Sequence, residues 1–221
     1  MISIKRLPEP LKLKENKEKW LAAYLEKRQI NPGHRPPSAQ YGHEELRDIL
    51  ERMSHDKCFY CECKIGGDTG MKSEIDHHIE VAEYPGLAFD WENLYLSCHD
   101  CNRKKLPNKT MPVSDCLDPC DISEKPADHL TFESHCIRAR ANSSKGDGII
   151  KKYKLNRPEL NYARLKWVKN FERFLRKLRE RQIQDKGREL TLDEKEAIHT
   201  FKAPDHAFSL MFSVYLSDVK T

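Results

Sequence analysis

The pattern of apolar and polar positions predicts two helices in the first quarter of the chain. Apolar side chains recur at intervals of three and four over residues 16–29, which is the period of an amphipathic helix. The breaker-rich segment NPGHRPPS at 31–38 is expected to be a linker. A second apolar repeat over residues 42–53 predicts a short helix that leads directly to Cys58.

The C-terminal part carries a longer apolar stripe, which predicts a helix of about five turns. Asn156 is expected to cap this helix, and Pro158 is compatible with its first turn. Thr191 and Glu194 have the spacing of a capping box, and a last helix is expected from near Asp205. The apolar positions of these helices are interpreted as core: Leu160, Ala163, Trp167, Phe171, Phe174, Leu178, Phe208, Met211, Phe212, Tyr215 and Leu216.

Composition is compatible with a folded core. A third of the 221 residues are charged (33%) and the mean hydropathy is −0.79, yet 38% are apolar. Residues 106–148 are rich in proline and glycine, so loops and short strands are expected there. No apolar run has the length of a membrane span, and the first residues lack the apolar core of a signal peptide. The chain is therefore expected to stay in the cytoplasm.

Positive charge is concentrated in one segment, although the net charge is only +4. Between residues 164 and 188 ten Lys or Arg face three acids. This asymmetry could mark a polyanion-binding face or an ordinary solvated helix face, and the sequence favours neither. The ten are Arg164, Lys166, Lys169, Arg173, Arg176, Lys177, Arg179, Arg181, Lys186 and Arg188.

Two Cys-x-x-Cys pairs predict a structural zinc site. Cys58 and Cys61 form one pair, and Cys98 and Cys101 form the other. Paired thiols in a reducing compartment favour zinc over disulfides. Four thiolates complete a tetrahedral shell and leave no position for a substrate.

The remaining cysteines have no comparable pairing. Cys63 lies close to the first pair and could compete as a zinc ligand. Cys116 and Cys120 are interpreted as small buried apolar residues.

The residues between the two pairs carry candidate catalytic groups. Residues 74–79 predict a short strand on which Asp76 and His78 share one face and His77 lies on the other. The segment DWENLYLSC at 90–98 leads to the second cysteine pair, and the basic sequence NRKK follows as a helix start.

This order of residues resembles the HNH endonucleases of the ββα-metal type. The matching positions are Asp76, His77, Asn93, Leu94, Cys98, Cys101, Asn102 and Lys105. The flanking text resembles the PtuB-type HNH nucleases of Septu and retron anti-phage systems, over about residues 1–180. That text is CFYCE at 58–62, YPGLAFDWENLYLSC at 84–98, LDPCDISEKPADHLTF at 117–132 and KLNRPELNYAR at 154–164. The chain departs from this family at His78 and at Gly148-Ile149.

The resemblance implies a role for each residue of the motif. His77 would be the general base, and Asp76 and Asn102 would hold a catalytic Mg²⁺ or Mn²⁺. Asn93 would fix the loop opposite the strand and orient His77. A basic run would grip the phosphate backbone without reading its sequence. That run is Arg103, Lys104 and Lys105.

Each of these residues also has an ordinary structural explanation. His77 could be a zinc ligand or a surface histidine, and Asp76 could pair with a lysine such as Lys72. Asn102 could cap the helix that follows, and Asn93 could be a turn residue. His78 and His99 are most simply incidental, with His78 held in reserve as a metal ligand.

Together these inferences predict an α+β fold that is mainly helical. Its centre would be a ββα-metal core with a structural zinc site of four cysteines, flanked by N- and C-terminal helices. The expected organisation is helical over 1–56, HNH core over 57–110, irregular over 111–154 and helical over 155–221.

The predicted function is metal-dependent hydrolysis of DNA phosphodiester bonds in phage defence. The same chemistry would also serve an RNA-directed nuclease. The resemblance implies a partner ATPase of the ABC or SMC-like kind and, in retron systems, a reverse transcriptase with its RNA–DNA. The flanking helices are expected to contribute to docking of the ATPase, especially the C-terminal pair with its apolar residues Phe208, Met211, Phe212 and Tyr215. The alternative is a zinc-stabilised nucleic-acid-binding or adaptor module without catalysis.

Overall fold

Helices dominate the chain, as the sequence predicts. The structure is a computed structural model that describes residues 1–66 and 71–218. Its α-helices are α1 (Leu11–Ile30), α2 (Ser38–Tyr41), α3 (Glu44–Ser54), α4 (His99–Lys104), α5 (Pro126–His129), α6 (Ser144–Lys152), α7 (Pro158–Gln184), α8 (Leu192–His199) and α9 (Ser209–Asp218). Short 3-10 turns occur at Pro85–Leu87, Trp91–Asn93, Val113–Asp115 and Thr200–Lys202. Across the two described ranges, none of the helices combines the length and the apolar character that crossing a bilayer requires.

The described strands form two antiparallel hairpins. They are β1 (Ser73–His77), β2 (Leu94–Cys98), β3 (Leu130–Glu133) and β4 (Cys136–Ala139). β1 pairs with β2, so that His77 lies opposite Leu94, and β3 pairs with β4. Because α4 follows β2 without a break, β1, β2 and α4 make up a ββα unit. This confirms the predicted α+β class.

Both ends of the chain pack onto this unit. The guanidinium of Arg6 donates to the carbonyls of Trp91, Glu92 and Leu94 and lies 4.5 Å from the ring centroid of Tyr95. Buried side chains from the first to the last helix join one hydrophobic cluster. The N-terminal segment therefore contacts the ββα unit directly, and the last helix shares its hydrophobic cluster.

The first helix begins earlier than predicted, at Leu11 rather than at residue 16. Leu13 is fully buried, so the apolar face extends a turn further back than the stripe around Trp20 suggests. The carboxylate of Glu45 accepts hydrogen bonds from the backbone N–H groups of Leu11 and Lys12. A distant side chain thus satisfies amides that a helix start leaves unpaired, a contact that local sequence does not reveal.

The predicted Asn156 cap is wrong. The residue before α7 is Arg157, which makes no side-chain capping bond, while Pro158 does occupy the first turn. The Asn156 amide instead pairs with the backbone of Ile137, accepting its N–H at 3.0 Å and donating to its carbonyl at 2.9 Å. Asn156 therefore ties the start of α7 to β4.

The region predicted as irregular, 106–148, contains the expected short strands but ends inside a helix. The helix α6 begins at Ser144 and contains both glycines of this region, Gly146 and Gly148. A Cβ atom on Gly146 or Gly148 would collide with the backbone carbonyl of His129 or Asp115, respectively. Glycine lowers helix propensity, but here it permits close packing of α6 against neighbouring backbone.

The C-terminal segment differs from prediction in one boundary and one role. The capping box of Thr191 and Glu194 is confirmed, whereas the last helix begins at Ser209 rather than near Asp205. Phe208, Met211 and Phe212 are each no more than 3% exposed, and Phe212 packs against other aromatic rings of the core. These three side chains belong to the chain's own core, so their predicted use in docking a partner is wrong.

The first cation of the basic segment, Arg164, is buried in the core. Arg164 is 1% exposed and donates to the carbonyl of Leu155 at 2.6 Å. Its guanidinium lies near the rings of Phe132 and Phe208, and burial lowers its pKa to about 10. The remaining exposed cations are Lys166, Lys169, Arg173, Arg176, Lys177, Arg179, Arg181 and Lys186.

Candidate active site and metal centre

The two Cys-x-x-Cys pairs come together as predicted. Their sulfur atoms all lie within 4.8 Å of one another, and all four residues are buried: Cys58, Cys61, Cys98 and Cys101. Four thiols at this separation are the donor set of a structural zinc site. The cluster is therefore compatible with zinc.

A guanidinium lies against this cluster. Arg157 places its terminal nitrogens 3.6 Å from the sulfur of Cys101 and 3.8 Å from that of Cys98. Burial favours the neutral form of Arg157, but the negative charge of the nearby thiolates outweighs it and raises the pKa of the side chain. A tetrathiolate site with a divalent ion carries net negative charge, which this cation offsets.

The other cysteines lie outside the cluster. Cys63 is 3.2 Å from the sulfur of Cys61 and donates to the sulfur of Met71. Cys116 is buried, which raises its pKa to about 11, and Cys120 and Cys136 are half-buried. The burial of Cys116 agrees with its interpretation as a small buried residue, and Cys63 lies close enough to Cys61 to remain a competing ligand.

The side chains of Asp76, His77 and His78 alternate in direction at the end of β1, as the sequence predicts. Asp76 and His78 are both buried and both contact the hydroxyl of Tyr60, at 3.0 Å and 3.3 Å respectively. His77 points the other way, into a cavity of about 500 Å³ that Asp76 and Asn102 also line.

The hydrogen bond of His77 determines which ring nitrogen is basic. Its Nε2 lies 3.0 Å from the carbonyl oxygen of Ala88, and the ring of Tyr41 packs edge-on at 4.7 Å. Since a carbonyl can only accept, Nε2 carries the proton and Nδ1 keeps its lone pair. Burial lowers the pKa of His77 to about 4, so the imidazole is neutral at pH 7.

Asp76 is almost completely enclosed, at 2% exposure. One carboxylate oxygen accepts from the hydroxyl of Tyr60 and the other from the ammonium of Lys105, at 2.6 Å. Burial raises the pKa of Asp76, while the Lys105 charge and both hydrogen bonds oppose that rise. Asp76 therefore pairs with a lysine, as the structural alternative predicted, but this lysine is Lys105 and not Lys72.

The three basic residues after Asn102 occupy different surroundings. Lys105 points into the site, where it also donates to the carbonyl of His77 at 2.7 Å. Lys104 pairs with Asp100 at 3.2 Å. Arg103 is largely exposed beside the cavity, 3.7 Å from Glu74. These three residues do not form one continuous basic surface. Of the three, only Arg103 is placed to contact a phosphate backbone, so the predicted joint contact is not supported.

Asn93 acts on the loops around His77 and does not touch its ring. Its amide accepts from the N–H of Ile79 at 2.7 Å and donates to the carbonyls of Ile79 and Leu87. These bonds tie the end of β1 to the turn that presents the carbonyl of Ala88.

Asn102 lies inside α4, whose N-cap is Cys98, so the helix-capping alternative for Asn102 is wrong. Its amide nitrogen donates to the carboxylate of Glu74 at 2.6 Å, and that carboxylate also meets His99 at 2.7 Å. This bond directs the amide nitrogen toward Glu74. The amide oxygen of Asn102 is a hard oxygen of the kind that Mg²⁺ prefers.

His78 occupies the aromatic core instead of the cavity. Its ring stacks on Tyr95 at 4.3 Å and its Nδ1 lies 3.3 Å from the hydroxyls of both Tyr60 and Tyr153. Burial lowers the pKa of His78 to about 3. It shares Tyr60 with Asp76 but does not line the cavity at His77.

Part of the cavity wall comes from a segment that sequence reasoning treated as a linker. Residues 32–36, between α1 and α2, line the cavity opposite β1, together with Arg28 and Tyr41. Proline and glycine identify a turn, but they do not indicate what the turn faces. Tyr60 was also missed, although its place between Cys58 and Cys61 fixes it near the cluster.

Comparison with known proteins agrees with this geometry. Residues 58–107 match the HNH endonuclease family model. Septu protein PtuB of Bacillus mycoides (strain KBAB4) is 31% identical over 167 residues, which covers 62% of this chain and 55% of that protein. Septu protein PtuB of Bacillus thuringiensis is 28% identical over 142 residues, covering 63% and 49%. Protein ea31 of Escherichia phage lambda is 38% identical over 55 residues, covering 25% and 17%.

The chain spans about half the length of the PtuB proteins that it matches. The matched family segment contains both cysteine pairs, Asp76, His77, Asn93 and Asn102. Residues 58–107 are therefore similar to the HNH endonuclease family, within a chain that is similar to Septu protein PtuB along about three fifths of its length.

Proposed function

We propose that this chain is a metal-dependent endonuclease that hydrolyses phosphodiester bonds of DNA. The observation that carries the proposal is the coincidence of two facts. Residues 58–107 match the HNH endonuclease family, and the same residues bring Asp76, His77 and Asn102 to one cavity. A buried acid, a neutral imidazole and an amide oxygen are the groups that such hydrolysis needs.

His77 would take the proton from the attacking water. Its Nδ1 lone pair is the acceptor, because Nε2 is engaged with the carbonyl of Ala88. The lowered pKa keeps this nitrogen unprotonated at neutral pH. Asn93 is a positioning residue in this scheme, since it acts on His77 through the backbone of Ile79 and Leu87.

Asp76 and Asn102 would hold the catalytic cation, Mg²⁺ or Mn²⁺. Their donors are hard oxygens, which suits these ions, and the buried carboxylate has a Tyr60 hydroxyl to orient it. When bound, the cation would offset charge on the phosphate and on the leaving oxygen. Lys105 bonds the same carboxylate, so the cation would share or replace that contact.

Zinc at the four cysteines would hold the hairpin and α4 together without taking part in the chemistry. The closed thiolate set leaves no coordination position for a substrate. This separates a structural metal from a catalytic metal. A cytoplasmic location belongs to the same proposal, because reduced thiols are required.

The biological setting follows from the relatives. Two of them are Septu proteins, so we extend to this chain a role in anti-phage defence with an ATPase partner of the ABC or SMC-like kind. A retron reverse transcriptase with its RNA–DNA would be the further partner in a retron system. Docking surfaces must lie outside the buried C-terminal aromatic residues.

A plasmid cleavage assay with Mg²⁺ or Mn²⁺, with and without the partner, tests the proposal. The wild-type chain is expected to cut, and His77→Ala is expected to bind DNA equally well while losing at least about a hundredfold in cleavage rate. The matched control is His135→Ala, which changes a half-buried histidine outside the cavity.

The opposite result would favour the second candidate, a zinc-stabilised binding or adaptor module. In that case the wild type binds DNA but never cuts it under either condition. The exposed cations of α7 are the observation that supports this candidate.

A further inference from the structure

The cavity at His77 has a second wall, built by the segment between α1 and α2. This wall is held in place on both sides. Arg28, near the end of α1, donates to the carbonyls of Val81 and Ala82, which follow β1. Tyr41, at the end of α2, packs against the ring of His77 at 4.7 Å. Residues 32–36 lie between these two anchors and line the cavity.

Within this wall the turn itself is ordered by local contacts. The side-chain oxygen of Asn31 accepts from the N–H of Gly33 at 3.0 Å, and the backbone carbonyl of Asn31 accepts from the N–H of His34 at 2.9 Å. His34 lies near Tyr24, with ring centroids 6.2 Å apart, and Pro36 is buried. Arg35, between these two residues, is therefore presented from a fixed backbone.

Four cations line the cavity, and they differ in what they already bind. Arg28 is bonded to carbonyls, Lys105 to Asp76, and Arg103 lies within ion-pair distance of Glu74. Arg35 is exposed and forms no hydrogen bond or ion pair with any residue in the described ranges 1–66 and 71–218. Its guanidinium is thus available for a ligand in the cavity that contains the proposed base.

We propose that Arg35 binds a phosphate of the nucleic acid strand that enters the cavity at His77, across from Arg103. This inference rests on the proposed function, since it names a further contact with the same substrate. A guanidinium can hold two phosphate oxygens at once, which fixes orientation as well as charge. Arg35 and Arg103 would then hold the strand from two walls while His77 acts between them.

The test compares Arg35→Ala and Arg35→Lys with Arg52→Ala. Arg52 is a matched control, because it is exposed on α3, lines a different cavity and has no side-chain hydrogen bond or ion pair in the described part of the chain. Binding of short duplex DNA is measured by fluorescence anisotropy in the His77→Ala background, and cleavage is measured with His77 intact.

Arg35→Ala is expected to weaken DNA binding about tenfold. The slope of log affinity against log salt concentration should fall by the amount that about one phosphate contact contributes. Cleavage should fall at least as much. Arg35→Lys should recover part of both, because lysine keeps the charge but loses the two-pronged contact. Arg52→Ala should match the parent in both assays.

Equal behaviour of Arg35→Ala and Arg52→Ala in both assays would overturn this inference. The proposed nuclease function would still stand if the wild type cuts and His77→Ala does not. If no variant cuts DNA, the nuclease proposal fails, and the anisotropy comparison still decides whether Arg35 binds the nucleic acid.

Discussion

Tyr60 shows how a single residue connects the cysteine cluster to the candidate catalytic acid. It lies between Cys58 and Cys61, is fully buried, and stacks on Tyr153 at 3.7 Å. Its hydroxyl meets Asp76 at 3.0 Å. The backbone turn that a metal would hold is therefore the same turn that orients the carboxylate.

Tyr60→Phe should destabilise the chain by about 1–3 kcal/mol, because a buried oxygen of Asp76 loses its hydrogen-bond donor. The measurement is urea denaturation without added divalent cation. Tyr84→Phe is the control, since Tyr84 is 52% exposed and its hydroxyl has no hydrogen bond in the described part of the chain.

Equal unfolding free energies for these two variants would contradict the role given to Tyr60. If the prediction holds, the same variant is expected to bind Mn²⁺ more weakly, because Asp76 is less well oriented.

At the scale of elements, the junction between β2 and α4 joins the cysteine cluster to Asn102 of the candidate site. Cys98 ends the strand and caps the helix, accepting the N–H of Cys101 at 3.5 Å. α4 has only six residues, far too few for an isolated helix to be stable in water. Its conformation, and with it the position of Asn102, depends on what holds the cysteines.

If the four cysteines bind zinc, its loss should release α4. Cys101→Ser is expected to lower the zinc content and to lower the Tm by about 10 °C or more, since structural zinc contributes several kcal/mol to folding. Amide hydrogen exchange over residues 99–104 should increase. Metal analysis, thermal unfolding and exchange mass spectrometry measure these effects.

Cys136→Ser is the matched control, because Cys136 is half-buried and lies outside the cluster. It should keep its zinc. A Cys101→Ser protein with full zinc content and unchanged exchange would show that α4 is held by other contacts.

At the scale of the whole molecule, the C-terminal helix is part of the support of the cysteine cluster. Glu62, next to Cys61, accepts from Lys57 at 3.1 Å and from Ser209 at 2.8 Å. Lys57 also donates to the carbonyl of His206. All three of the side chains that form this network, those of Lys57, Glu62 and Ser209, are buried, so the first cysteine pair and α9 are joined by bonds shielded from water.

Phe212→Ala should cost about 3–5 kcal/mol of unfolding free energy, because the ring is fully buried against Phe171 and Phe201. Tyr162→Ala, at a residue that is 60% exposed, should change stability by only about 0.5 kcal/mol. Denaturant unfolding compares the two. Similar losses would mean that α9 is not part of the folding core.

This placement also changes how partner binding can be tested. Deleting residues 190–221 would remove Phe201 and Phe212 and expose the ring of Phe171, so loss of a partner would reflect unfolding as much as a lost contact. Single substitutions at exposed residues such as Arg173 and Arg176 on α7 avoid this difficulty.

The sequence by itself determined the local chemistry. The spacing of Cys58, Cys61, Cys98 and Cys101 predicted the cluster, and strand alternation separated Asp76 from His77. The spacing of Thr191 and Glu194 likewise predicted the capping box. Each Cys-x-x-Cys pair, the strand alternation and the capping box depend on residues close together in the chain, where a turn, a strand or a helix start has a fixed repeat.

Only the tertiary structure decided which distant groups meet. It paired Lys105 with Asp76, buried Arg164, and brought the residues around Arg35 to the cavity of His77. It also packed α6 against neighbouring backbone at two positions where only glycine fits. Such outcomes depend on burial and on contacts between remote segments, whose desolvation and packing energies exceed local preferences.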